Sequence, residues 1–293
     1  MFHSGERAVQ QRMGQAEVAV RVGRSIRAEI PAVAASFLAE QPMVVLGAAD
    51  PAGRLWAGPL TGPVGFVHAV GAATIDIDTR PDDADPLSVA LAGDAAVGLI
   101  ALQPQRRRRM RVNGTSAMRD GGLRITTEQV YANCPKYISR RQIREVSALD
   151  SPGPVRRGAA LGATAVEMIG AADAFFIATA DADGHADASH RGGNPGFLQV
   201  LSPTRLRWPD YRGNSMFMTL GNLVVQPRCG LLVADWSSGA LLQLTGRAEL
   251  VWDSAAFTAG AQCAVDFTVE EVIERPGALA VRWGPPELSP NNP

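Results

Sequence analysis

The sequence predicts a mainly β protein with a few helices, one small antiparallel barrel built twice and related by an approximate two-fold. Three observations carry that reading. Asp50, Gly53, Ala57, Gly62, Gly65 and Phe66 recur as Asp181, Gly184, Ala188, Gly193, Gly196 and Phe197 at one constant offset. Gly98-Leu99 and Asn113-Gly114 then recur as Gly230-Leu231 and Thr245-Gly246 after a slip of one residue. A length of 293 residues suits two domains of ordinary size. Each half also shows five or six short β-type runs, with one short helix between the fourth and the fifth. The expected division is 1–150, the N-terminal helices and a degenerate first barrel, and 151–293, a second barrel with the chemically equipped copy.

The elements follow in order. Over 5–29, Val18, Val22 and Ile26 fall at helical spacing with arginines between them, which predicts a helix. Pro31 opens a second helix, running to about Glu40. The period then changes to strands over 43–48, 54–58, 65–69 and 74–78, with Asp50-Pro51-Ala52-Gly53 as a turn. Asp85-Pro86 starts a helix ending near Gly93, followed by a long hairpin over 96–102 and 109–118 and a strand over 123–131. The second half predicts a helix over 158–171 and strands near 174–180, 185–190, 196–200 and 204–208. A short helix after Gly213-Asn214, a hairpin over 229–235 and 240–252, and a strand over 267–273 complete it. The proline-rich stretch 285–293 reads as a linker or a frayed end.

Composition narrows the function classes. A formal net charge of −1 argues against a nucleic-acid binder driven by global charge. Three distant cysteines, Cys134, Cys229 and Cys263, show neither metal spacing nor a disulfide framework. No apolar run approaches a membrane span, and Glu6 and Arg7 stand where a signal peptide needs apolar residues. The expectation is a cytoplasmic protein that binds a small-molecule substrate.

Two clusters could carry chemistry. Ser189-His190-Arg191-Gly192-Gly193 puts a hydroxyl and a guanidinium, both donors to anionic oxygens, beside glycines that allow close approach. A surface hairpin with a solvated arginine is the competing reading. Arg212, Gly213 and Asn214 precede a helix whose N-terminus favours an anion, unless Asn214 only caps it. Both clusters sharing one anion is the sharper hypothesis. At the matching places the first repeat has Pro59 and Leu60, and its helix entrance is acidic through Asp82, Asp83 and Asp85. Arg106-Arg107-Arg108-Arg109 with Arg111 reads as a solvated hairpin tip protecting an edge strand. Cys134-Pro135-Lys136-Tyr137 is either a plain helix start or a functional Lys-Tyr pair.

Ser189-His190-Arg191-Gly192-Gly193-x-Pro195-Gly196-Phe197, Pro209-Asp210-Tyr211-x-Gly213-Asn214, Gln226-Pro227-Arg228-Cys229-Gly230 and Leu244-Thr245-Gly246-Arg247-Ala248 resemble the pyridoxamine 5'-phosphate oxidase-like family of FMN-binding split β-barrels. Phe2-His3-x-Gly5-Glu6, Asn133-Cys134-Pro135-Lys136-Tyr137-Ile138 and Ser289-Pro290-x-Asn292-Pro293 match its tandem-barrel branch, sometimes fused to a ferredoxin-reductase module. The resemblance implies two six-stranded split barrels with FMN, another flavin or a deazaflavin in a groove between them. It implies that Ser189, Arg191, Arg212, Gly213 and Asn214 hold the flavin phosphate. His190, Gln243 and Thr245 would lie near the ring or the substrate. The implied activity is an FMN-dependent oxidoreductase of unknown substrate, with an NAD(P)H or ferredoxin-reductase-type electron donor. A non-catalytic flavin-binding or cofactor-free module serving an electron-transfer partner is the alternative, and a homodimer is left open.

Overall fold

The computed structural model describes residues 2–132, 134–146, 153–253, 255 and 258–293, so the expected 150/151 boundary lies outside the described residues. The predicted helix over 5–29 is two helices, α1 (Ser4–Arg12) and α2 (Ala16–Gly23). Gly14 separates them with φ +65°, a left-handed conformation that ends a helix at little cost only where there is no Cβ. His3 and Glu6 form a reciprocal capping box that opens α1. After Pro31 comes α3 (Ala32–Ala39), as expected.

The first sheet contains β1 (Met43–Ala49), β2 (Leu55–Thr61), β3 (Val67–Gly71), β4 (Thr74–Ile77), β5 (Ala95–Gln103), β6 (Arg108–Arg119) and β7 (Gly122–Ala132), with α4 (Leu87–Ala90) between β4 and β5. Its order is β2-β1-β5-β6-β7-β4-β3. Three connecting elements follow, β8 (Ile143–Val146), β9 (Arg156–Gly158) and α5 (Ala163–Ala171). The second sheet contains β10 (Ala174–Ala180), β11 (Ala186–Gly192), β12 (Gln199–Ser202), β13 (Arg205–Tyr211), β14 (Arg228–Ala234), β15 (Leu241–Val251) and β16 (Ala261–Arg275), with α6 (Met218–Val225) between β13 and β14. Its order, β11-β10-β14-β15-β16-β13-β12, repeats the first position by position, and β9 adds to β16. Lastly, β17 (Val281–Trp283) pairs with β8.

The tandem, mainly β architecture is therefore as the sequence predicts, with three further corrections of detail. Each path has seven strands rather than the six that the resemblance implies, and these match the seven runs read one by one from each half of the sequence, the edge strands β3 and β12 included. The predicted helix over 158–171 begins only at Ala163. Arg156 and Arg157 instead pair with Glu274 and Glu271 across β9 and β16. The 285–293 stretch is not frayed either. The Arg140 and Glu287 backbones bond reciprocally at 2.8 Å, and Asn194 Nδ2 donates to the Pro293 carbonyl at 2.9 Å. No helix among the described residues is long and apolar enough to cross a membrane.

Each sheet wraps its own core, one around Trp56, Phe66 and Leu99, the other around Phe175, Trp208 and Leu231. A third core joins the barrels back to back, with Val45, Ala57 and Ile100 meeting Phe176, Ala188 and Leu232. β1 packs on β10, β5 on β11 and β2 on β14. The repeated glycines explain how closely. A Cβ on Gly98 would stand 2.3 Å from the Ala188 nitrogen, and one on Gly230 would stand 2.3 Å from the Leu55 carbonyl oxygen. Both neighbours are backbone and cannot step aside. Gly98→Ala and Gly230→Ala should each cost about 1–3 kcal/mol in denaturant unfolding through overpacking. Gly93→Ala, with nothing within 4 Å of its Cβ, should unfold like the parent.

Candidate functional site

Back-to-back packing leaves two grooves related by the pseudo-two-fold. In one, β11 of the second barrel faces β6 of the first beside α6. In the other, β2 of the first barrel faces β15 of the second beside α4. Arg111 on β6 and Gln243 on β15 hold corresponding places, paired with Ile100 and Leu232 respectively.

The first groove gathers arginines. Arg109, Arg111 and Arg191 line a cleft of about 60 Å³ with Asp210, Thr219 and the 213–218 segment ahead of and into α6. Ser189, fully buried, accepts from Arg191 Nη1 at 2.9 Å and from Arg111 Nη2. Arg111 pairs with Asp187 and Arg191 with Asp210, both at 3.4 Å. Arg109 has no carboxylate partner among the described residues. Its Nη1 donates to His190 Nδ1 at 3.1 Å and to the His190 carbonyl at 3.2 Å. Three guanidiniums thus face two carboxylates. The Nε atoms of all three arginines and Thr219 Oγ1 are buried without a hydrogen-bond partner.

Electrostatics follow from that crowding. Burial, then Arg111 and Arg191, push Arg109 down to about 9. Burial lowers Arg191 as well, with Asp210 opposing. Arg111 is raised despite its burial, because Asp187 and the Tyr131 hydroxyl favour its charge. His190 is held well below its usual range by burial and by all three arginines, so it is neutral and accepts at Nδ1. Each cation lowers the cost of admitting an anion.

Of the sequence-predicted residues, the structure brings Ser189, Arg191, Gly213 and Asn214 to this cleft. His190 points away, edge-on to Phe176 at 5.6 Å in the inter-barrel core, and steadies Arg109 rather than facing the cleft. The Arg212 side chain is exposed and does not line the cleft, while its carbonyl accepts from the Tyr137 hydroxyl at 3.1 Å. Gln243 and Thr245 belong to the other groove. Gln243 lies three strands from His190 across the sheet, roughly 14 Å at about 4.8 Å per strand. Thr245, buried opposite Gly230, lies on the same side as Gln243.

Arg109 and Arg111 were the residues that sequence reasoning missed. They read as a solvated hairpin tip, but Arg107, at φ 49°, turns the chain and its Nε donates to the Ile138 carbonyl at 2.9 Å. The tip is thereby tied down, and β6 carries Arg109 and Arg111 against the second barrel. The available signal was alternation: Arg109 and Arg111 share one face of a strand.

The second groove is filled by the protein itself. Arg275 bonds Asp85 at 2.5 Å and also Asp82, while Gln243 Nε2 donates to Asp85 at 3.1 Å and to the Ala57 carbonyl at 2.9 Å. The acidic helix entrance of the first repeat is thus neutralised internally, not merely repellent. Burial raises the Asp85 carboxyl and Arg275 opposes it.

The N-terminal helices roof the first groove. Gln10 Nε2 donates to the Met216 carbonyl at 2.9 Å, and the Ser215 hydroxyl donates to Gln15 at 2.6 Å, fixing the strained segment in which Ser215 and Phe217 have positive φ. Beyond Asp187 the groove opens into a cavity of about 310 Å³ whose lining includes His3, Glu6, Asn113 and Asn222. Burial pushes Glu6 up to about 7, the His3 backbone N–H opposing and Asp187 adding to the rise.

The fold and this groove define a two-barrel protein with a cationic pocket between its halves. Residues 161–280 match the family described as pyridoxamine 5'-phosphate oxidase, so the resemblance read from the sequence holds over the second barrel. Solved structures similar in part include a putative pyridoxamine 5'-phosphate oxidase from Lactobacillus delbrueckii, at 22% identity over 39% of this chain and 94% of that one, TM-score 0.33. A FAD-binding protein from Mesorhizobium loti shows 17% identity over 42% and 97%, TM-score 0.29. HutZ, a heme storage protein from Vibrio cholerae, shows 16% over 36% and 84%, TM-score 0.27. No curated protein matches the chain.

Two outcomes test this geometry. Arg275→Ala leaves Asp85 buried and unpaired and should cost roughly 3–5 kcal/mol in denaturant unfolding, much of it recovered when Asp85→Leu is added. Glu6 is protonated more readily folded than unfolded. Its contribution is therefore complete below about 4.5, the unfolded value, and is lost as pH rises towards about 7. Unfolding of Glu6→Gln measured from pH 4.5 to 8 should lack that decline, which is on the order of 3 kcal/mol.

Proposed function

We propose that this chain is an FMN-dependent oxidoreductase that holds one flavin per chain in the first groove. The observation that carries the reading is the convergence of three buried guanidiniums, Arg109, Arg111 and Arg191, against two carboxylates on a cleft walled by the start of α6. A phosphate monoester supplies what that cleft lacks: several acceptor oxygens and up to two negative charges. Arg109, Arg111 and Arg191 would hold it with the Thr219 hydroxyl and the free N–H groups at the α6 N-terminus. Ser189 orients two of the three guanidiniums and His190 the third. When bound, FMN supplies hydride and electron transfer. The chain's own contribution is to fix the cofactor, neutralise its phosphate and roof the groove with α1 and α2. The electron donor in this reading is NAD(P)H or a ferredoxin-reductase-type partner, and the substrate is a small molecule.

Titration of FMN and riboflavin into the apoprotein tests it. FMN should saturate near one equivalent per chain and bind more tightly than riboflavin. Arg111→Ala and Arg191→Ala each remove charge-assisted bonds worth roughly 1.5–3 kcal/mol, so FMN affinity should fall about ten- to a hundredfold while riboflavin affinity holds. Parental FMN binding in both variants, or two equivalents per chain, would refute the reading. NAD(P)H-driven turnover of the loaded protein separates an enzyme from a non-catalytic flavin carrier.

A further inference from the structure

On the outer side of Arg109 lies a second and larger cleft that the flavin reading does not use. It measures about 890 Å³ and runs between α3 and the β6–β7 hairpin. Sites of ~300–1,000 Å³ are large enough to bury most of a drug-sized ligand. Six arginines line it, Arg27, Arg106, Arg107, Arg108, Arg109 and Arg140, and no acidic residue does so among the described residues. Only two carboxylates answer them. Arg106 reaches Glu40 at 3.6 Å, and Arg107 and Arg140 share Glu287 at 3.2 Å each. Arg27, Arg108 and Arg109 form no ion pair among the described residues.

The floor between the charges is apolar, with the Phe37 ring, Met110 and Val130. The Arg108 guanidinium lies over the Phe37 ring, 4.8 Å from its centroid, and Arg108 is itself exposed. The walls are held rather than mobile. Arg27 and Val130 exchange backbone bonds at 3.2 and 2.6 Å, and the Arg107 turn is bonded to Ile138. A solvated basic patch has neither this floor nor these anchors.

We infer that this cleft binds a nucleotide polyphosphate, its phosphates held by Arg27 and Arg108 and its base against the Phe37–Arg108 contact. Excess guanidinium selects the polyphosphate, because multiple charged oxygens answer several forks at once. The apolar floor selects a ligand with an aromatic base over a free polyphosphate. Free nucleotides, coenzyme A and nicotinamide dinucleotides all present this chemistry, and the experiment separates them. The inference stands on residues outside the flavin pocket, since the Arg109 guanidinium is turned to His190 in the first groove.

Calorimetric titration of the full chain with ATP, with coenzyme A and with NADPH tests it, beside inorganic pyrophosphate. At least one nucleotide should bind, more tightly than pyrophosphate, and the one that does names the source. In Arg27→Ala/Arg108→Ala, two exposed positions that leave the barrels intact, that affinity should fall at least about tenfold, as expected for lost charge-assisted bonds. In Arg191→Ala nucleotide affinity should hold, whatever happens to FMN. Three results would each overturn the inference: no binding by any nucleotide, pyrophosphate binding as tight as the best nucleotide, or parental nucleotide affinity in the double variant.

Discussion

The contact on which the rest of the structure depends is backbone on backbone, where Gly98 meets β11 and Gly230 meets β2. Because both sites lack a Cβ, the two barrels approach until strands of one stand beside strands of the other. That approach makes the inter-barrel core and, on either side of it, a groove walled by both repeats. Neither barrel alone could supply the first groove, since Ser189 and Arg191 come from β11 while Arg109 and Arg111 come from β6. The duplication is thus the means by which one chain obtains a two-sided pocket.

The two grooves then diverged through charge rather than shape. In one, Arg275 meets Asp85 and Asp82, with Gln243 closing the network, so that a single guanidinium faces two carboxylates. The charge there is answered within the protein, although the Arg275 Nε itself makes no hydrogen bond. In the other, three guanidiniums face two carboxylates, so that one positive charge is left unanswered. Corresponding positions therefore carry opposite solutions: Arg111 reaches across to Ser189 and Asp187, whereas Gln243 reaches across to Ala57 and Asp85.

Much of this was legible in the sequence, and the illegible part has a physical cause. The constant offset between repeated glycines identified two copies in the same order, and Ser189 and Arg191 were recognisable because donor types and glycines cluster there. Local pattern failed where a role depends on the partner barrel. Arg109 and Arg111 look solvated within their own hairpin and are buried only by β11. Gln243 and Thr245 sit on the expected strand but face the other groove, because the two-fold carries each long hairpin to the opposite repeat's edge. The break at Gly14 was hidden beneath a helical period that continues on both sides. The tail over 285–293 lacks any period, yet a reciprocal backbone pair at Glu287 and the Asn194 amide on Pro293 anchor it.

The N-terminal helices make the retained groove more than an accident of packing. The 213–217 segment holds two non-glycine residues at positive φ, a conformation that costs energy unless its surroundings enforce it. Gln10 and Gln15 supply that enforcement from α1 and the α1–α2 junction, through bonds to Met216 and Ser215. Gly5 and Gly221 let α1 lie directly on α6, since a Cβ on Gly5 would stand 2.2 Å from the Gly221 carbonyl. The strained loop, the α6 N-terminus and the arginines are thereby held in place before any ligand arrives. Preorganisation of this kind lowers the cost of binding. The α4 side of the other groove has only a four-residue helix, and an internal ion pair takes the place that an anion would fill.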